Sequence, residues 1–217
     1  MRRWPPSVKS GGRGYRPVAS ESVPRRRWKR GTMSKRHLAV ERWKRVSSKP
    51  IYQNRWLSLR EDLVELPDGK TTIYGVVTCG DCVGILPFVD RDHVLLIQQY
   101  RYVAGRATWE MPTGGVRLGE SFDEAAQREL EEEAGYRAGR LTKIVAYHTS
   151  KSVLDETAHL YLAEELQPVQ HQPADDTEFI RPQVFPFTTL LRMVMEGEIL
   201  DGMTIIAVLQ VARLRGL

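Results

Sequence analysis

The chain has 217 residues, a formal net charge of +5, 41% hydrophobic and 27% charged residues, which is ordinary globular composition and room for one well-buried domain with an extension. No apolar run approaches the roughly 18 residues of a membrane span, and the Arg-rich start lacks the apolar core of a secretory signal, so a soluble, cytoplasmic protein is expected. The positive charge is local: residues 1–32 hold ten Arg or Lys against one acid, Glu21, which leaves −4 on the remainder.

Residues 1–36 form a basic segment in which Pro, Gly and Ser interrupt every helical pattern. Three readings stay open for it: a solvated, disordered leader, an organellar transit segment, or an upstream extension ahead of a start at Met33. A basic tail is able to touch nucleic acid, but no nucleic-acid-binding motif accompanies it, and none is expected as a partner. Residues 37–80 follow as an N-terminal strand region with a turn at Pro67-Asp68-Gly69. Cys79 and Cys82 make one C-x-x-C between two strand-like runs. Without a second pair for zinc or a helix for redox chemistry, they read as structural thiols.

From residue 81 the chain reads as a second region to residue 217. Two apolar strands, "VGILPFV" and "VLLIQQYR", flank the turn "DRDH". A helix is expected over Phe122–Ala134, because Ser121 and Glu124 make a capping box before it and Gly135 suits the position after it. Strands "KIVAYHT" and "AHLYLA" follow, then a polar loop to Glu178, then helices at roughly 188–197 and 202–215. Strands with few helices predict a mixed sheet with helices packed on it.

The predicted helix carries the chemistry. Residues 114–136 hold seven carboxylates, three of them consecutive at Glu131, Glu132 and Glu133. Like charges at neighbouring helical positions cost about 0.2–0.5 kcal/mol per pair, so something should offset them. At about 100° per residue, Glu129, Glu132 and Glu133 share one arc while Glu131 points away. Clustered carboxylate oxygens suit a hard divalent cation, Mg²⁺ or Mn²⁺. Gly114 and Gly115 read as a flexible turn ahead of the helix where backbone carbonyls approach that ion.

This stretch resembles the Nudix box, G-x5-E-x7-R-E-U-x-E-E-x-G-U, through Gly114, Glu120, Arg128, Glu129, Leu130, Glu132, Glu133 and Gly135, with Tyr136 at the last position. The resemblance implies an α/β fold, a Nudix-type α/β/α sandwich with a mixed sheet preceded by an N-terminal antiparallel strand region. It implies Mg²⁺-dependent cleavage of a nucleoside diphosphate linked to another group. Carried over by position, Glu129, Glu133 and Glu132 are metal ligands, the carbonyl of Thr113 is a backbone ligand, and Glu120 with Arg128 is a structural pair.

Outside the box, "QQYRYVAGRATWEMPTGG" resembles the branch that cleaves ADP-ribose and nucleoside-diphosphate sugars. That likeness implies a homodimer, with Arg101 on the diphosphate and Glu110, Gly114 and Gly115 also at the substrate. Glu178 is the expected late-loop base, with Glu132 as a second catalytic carboxylate; Asp175, Asp176 and Glu156 are alternatives to Glu178. Ser150-Lys151-Ser152 departs from the Ser-Pro-Gly usual after the box in ADP-ribose hydrolases, which bears on that particular substrate. Two other functions remain: a hydrolase of nucleoside triphosphates and a Nudix-like binding or regulatory module.

Overall fold

The computed structural model describes residues 42–170 and 179–217. The basic segment 1–36, Asp175, Asp176 and Glu178 lie outside the described residues.

Three strands form an antiparallel meander at the N-terminal end: β1 (Lys44–Gln53), β2 (Ser58–Glu65) and β3 (Thr71–Thr78). The β2–β3 turn falls at the expected Pro67-Asp68-Gly69. Gly69 takes φ 82° there, a left-handed conformation that a side chain would strain. A two-residue strand, β9 (Leu154–Asp155), adds to β3 in parallel. All ten residues of β1 are exposed on both faces.

The central sheet has the order β7 (Thr113–Gly115), β4 (Cys82–Pro87), β10 (Thr157–Pro168), β8 (Tyr136–His148). It is mixed: β10 runs parallel to β4 and antiparallel to β8. Every residue of β4 after Cys82 is buried, the mark of a strand covered on both faces. Its alternation divides the core. Val83 and Ile85, with Tyr161 and Ala163 of β10, pack on Ala125, Ala126 and Leu130 of α1 (Phe122–Ala134). Leu86, with Ala158 and Leu160, packs on α2 (Phe187–Met195) and α3 (Gly202–Leu214). The result is the α/β/α sandwich. Leu130 is fully buried, and truncating such a Leu to Ala costs about 2–5 kcal/mol. Gly84 lets the upper layer close: a Cβ there would strike Met111 and lie 2.8 Å from the Met203 methyl.

A third sheet, β11 (Arg181–Pro186), β5 (His93–Arg101), β6 (Arg106–Glu110), completes the fold. The strands flanking Asp90–His93 therefore belong to different sheets, joined only by a bridge between Phe88 and Val94. Among the described residues no helix is long and apolar enough to cross a membrane.

Candidate active site

The helix α1 begins and ends as its sequence dictates. Ser121 Oγ accepts the N–H of Glu124 at 3.2 Å and the Glu124 carboxylate accepts the N–H of Ser121 at 2.9 Å. Gly135 closes the other end at φ 71°, donating to the carbonyls of Leu130 and Glu131. Within this frame Glu129 and Glu133 are 8% and 4% exposed, unusually buried for carboxylates. Glu132 stands beside them with 20% of its side chain exposed, whereas Glu131 turns away to Arg137 at 2.6 Å.

Arg128 binds this group together. Its Nε and Nη2 donate to Glu120 at 2.7 and 2.9 Å, the arrangement expected of that pair. Its Nη1 reaches Glu129 at 2.6 Å and Glu132 at 3.0 Å, and Nη2 also donates to the Gly115 carbonyl at 2.9 Å. Arg117 adds a contact to Glu132 at 3.3 Å. Three arginines thus supply part of the offset that the glutamate run demands, before any cation is considered. The Arg128 hydrogen bonds hold the Glu120 carboxyl down to about 2.

Gly114 and Gly115 are not the flexible turn the sequence suggested. They form β7, with Gly114 opposite Val83 and Gly115 opposite Cys82. The glycine at 114 is needed for space: a Cβ would collide with the carboxylate of Glu129. Thr113, expected through its carbonyl, is tied in through its N–H, which donates to Glu133 Oε2 at 2.8 Å. Among the described residues no three His, Cys, Asp or Glu side chains already enclose an ion position. The donor chemistry nonetheless fits a hard cation, since buried carboxylate oxygens press against bare glycine backbone.

A second cluster stands on the β5–β6 hairpin. Arg101 Nε donates to both Glu110 oxygens, at 2.9 and 3.1 Å. Glu110 is 4% exposed, and burial pushes its carboxyl up against the opposing pull of Arg101. Directly opposite Arg101 is Arg106, a residue to which no sequence motif assigns a role. Like charges facing each other across a ladder are destabilising, so the hairpin is suited to an anion. Reading "YRYVAGRAT" as a hairpin around Gly105 would have found it.

Glu156 is gathered with the thiols. Its carboxylate accepts from the Thr149 hydroxyl, and Cys79 Sγ lies 3.5 Å from it. His148 ends β8 opposite Thr157, and Lys151 is an exposed turn residue.

Comparison with known proteins shows the family. The NUDIX domain family matches residues 80–200. The chain belongs to the Nudix family. A second family, the nucleoside diphosphate sugar hydrolase N-terminal domain, matches residues 43–77 of this Nudix protein. It is 33% identical over 166 residues to an ADP-ribose pyrophosphatase of Bacillus subtilis (strain 168), covering 76% of this chain and 90% of that protein. A methanol dehydrogenase activator of Bacillus methanolicus is 30% identical over 166 residues, with the same coverage of 76% and 90%. A crystal structure of an ADP compounds hydrolase shares the Nudix fold at a TM-score of 0.75 and 23% identity, covering 82% of this chain and 97% of that one.

Proposed function

We propose that this Nudix enzyme hydrolyses the diphosphate linkage of ADP-ribose or a related nucleoside-diphosphate sugar, giving a nucleoside monophosphate and a sugar phosphate. The observation that carries the reading is the approach of two buried carboxylates to the glycine strand β7, Glu129 against bare Gly114 and Glu133 on the N–H of Thr113, with Glu132 beside them on α1. The B. subtilis relative is named for this activity, and the match over residues 43–77 is to the N-terminal domain of such hydrolases.

Glu129, Glu133, Glu132 and the carbonyl of Thr113 would hold the divalent cation, Mg²⁺ first and Mn²⁺ as its substitute. Bound there, the ion neutralises phosphate charge and acidifies the attacking water. Arg101 and Arg106 receive the diphosphate, for which a guanidinium fork is well matched. Glu178 accepts the water proton, with Glu132 as a second catalytic carboxylate. Glu120 and Arg128 hold the loop to the helix.

The chain works as a cytoplasmic homodimer. A ten-residue strand exposed on both faces, with Val46, Ile51 and Tyr52 bare to solvent, is a surface that soluble proteins cover.

The test is Mg²⁺-dependent release of nucleoside monophosphate from ADP-ribose, ADP-glucose, GDP-mannose, UDP-glucose, NADH, diadenosine polyphosphates and nucleoside triphosphates, with Glu133→Gln as the blank. Preferential turnover of a diphosphate sugar supports the reading. Turnover of triphosphates alone favours the triphosphatase reading, and no turnover by folded, metal-bound protein favours a binding module.

A further inference from the structure

Among the described residues three buried side-chain atoms lack a hydrogen-bond partner: Asp62 Oδ1, Gln99 Oε1 and Thr108 Oγ1. Asp62 stands in the N-terminal meander. The other two stand together, directly opposite each other in the β5–β6 ladder. Facing residues have Cβ atoms about 5 Å apart, so one small group can reach both polar ends. Leaving two such groups unpaired is costly, and nothing about the strand requires it. Leu95 and Ile97, farther along the same face, are apolar and buried.

Arg101 covers this pair. Glu110 lies opposite Ile97, four residues from Arg101 along β5, a separation of about 13 Å. Yet Arg101 Nε is 2.9 Å from Glu110 Oε1. Both side chains must extend toward each other across the intervening Gln99 and Thr108.

Resting on the reading of this chain as a diphosphate hydrolase, we propose that Gln99 and Thr108 are a specificity site for a hydroxyl of the group joined to the diphosphate. Arg101 uncovers the site when it exchanges Glu110 for phosphate. The atom types select the ligand. Gln99 Oε1 only accepts, so it repels a phosphate oxygen, while the Thr108 hydroxyl both donates and accepts. A substrate hydroxyl donates to the first and accepts from the second. The buried carboxylate of Glu110, released by Arg101, accepts a hydrogen bond from the second hydroxyl of a vicinal diol. Diphosphate recognition and sugar recognition thereby become one event, and a triphosphate, with no hydroxyl beyond its terminal phosphate, gains nothing at this site.

The experiment compares ADP-ribose with P1-adenosyl-P2-methyl diphosphate, which keeps the diphosphate ester but has no hydroxyl beyond it. Wild type should prefer ADP-ribose. Thr108→Val keeps the β-branched shape that suits a strand, and it and Gln99→Leu should each lower kcat/KM for ADP-ribose about tenfold. Turnover of the methyl ester should stay within about twofold of wild type, so the selectivity ratio itself falls. Thr108→Ser, which restores a hydroxyl, should recover the wild-type ratio. An unchanged ratio in both variants means the pair merely houses water and overturns the proposal, as does an equal loss on both compounds. Wild type that cleaves both equally sinks hydroxyl recognition while leaving hydrolysis standing. Wild type that cleaves neither these two nor any diphosphate sugar of the panel above removes the diphosphate-hydrolase reading, and this inference with it. If it cleaves another sugar of the panel, that sugar and its methyl diphosphate replace the adenosine pair and the same outcomes decide.

Discussion

The backbone N–H of Thr113 and a carboxylate oxygen of Glu133 are 2.8 Å apart, tying the glycine strand to the last turn of α1. This bond fixes a carboxylate that is only 4% exposed. It also explains why a single-atom change there should be informative.

Glu133→Gln keeps the side-chain length and one oxygen to accept from Thr113, but removes the charge that a cation needs. Its melting temperature should stay near that of wild type. Its kcat for the preferred substrate should fall by on the order of a thousandfold. Near-normal turnover in a Mg²⁺ titration would refute the assignment of Glu133 as a ligand.

Gly114→Ala tests the close approach rather than the charge. The added methyl must push the Glu129 carboxylate aside, so Mn²⁺ affinity should drop at least about tenfold, on the scale seen when a metal's supporting contacts are lost. Calorimetric titration with Mn²⁺ reads this directly. Unchanged affinity would mean that Glu129 does not face the ion.

The Glu120–Arg128 pair should leave a mark on the acid limb of stability. Glu120 titrates at about 2 in the folded chain against an ordinary 4.5, chiefly because Arg128 donates to it. A depressed carboxylate stabilises fully above its unfolded pKa, so its contribution is present above pH 4.5 and fades as pH falls toward 2. Glu120→Gln should therefore lower the melting temperature at pH 7 and flatten the stability curve across that window. Parallel curves for variant and wild type would count against the pair.

The cysteines should be slow nucleophiles. Burial, then the charge of Glu156, pushes the Cys82 thiol up to about 12, and the same two causes raise Cys79. Little thiolate exists at pH 8, so alkylation by iodoacetamide should lag well behind that of a free thiol. Glu156→Gln should speed labelling of both, followed by mass spectrometry; identical labelling rates would remove Glu156 from the account.

How much of this was legible depended on the range of the interactions. The helix α1 was readable to its last residue because Ser121, Glu124 and Gly135 act within one turn of its ends. The Pro67-Asp68-Gly69 turn and the layering of helices on a mixed sheet were readable for the same local reasons. The strands β6 and β7 were not, because Pro112 splits them into pieces too short to show alternation. Gly114 looked like a flexible hinge, since nothing in its neighbourhood announces a carboxylate fifteen residues on that needs the room of a missing methyl. The reach of Arg101 to Glu110, and the polar pair beneath it, depends on cross-strand register, which no single-strand pattern encodes. The Glu120–Arg128 contact was legible only through the spacing of the box.

The parallel pairing of β4 with β10 also sets a schedule for the ribosome. Cys82–Pro87 finds its nearest neighbour only when Thr113–Gly115 has emerged, and its long partner only when Ala158–Ala163 has followed. Until then an apolar strand has at most a three-residue partner. Non-local pairing of this kind folds slowly and exposes aggregation-prone edges, and α1, whose caps are Ser121 and Gly135, emerges whole before the strand that completes the surface it packs on.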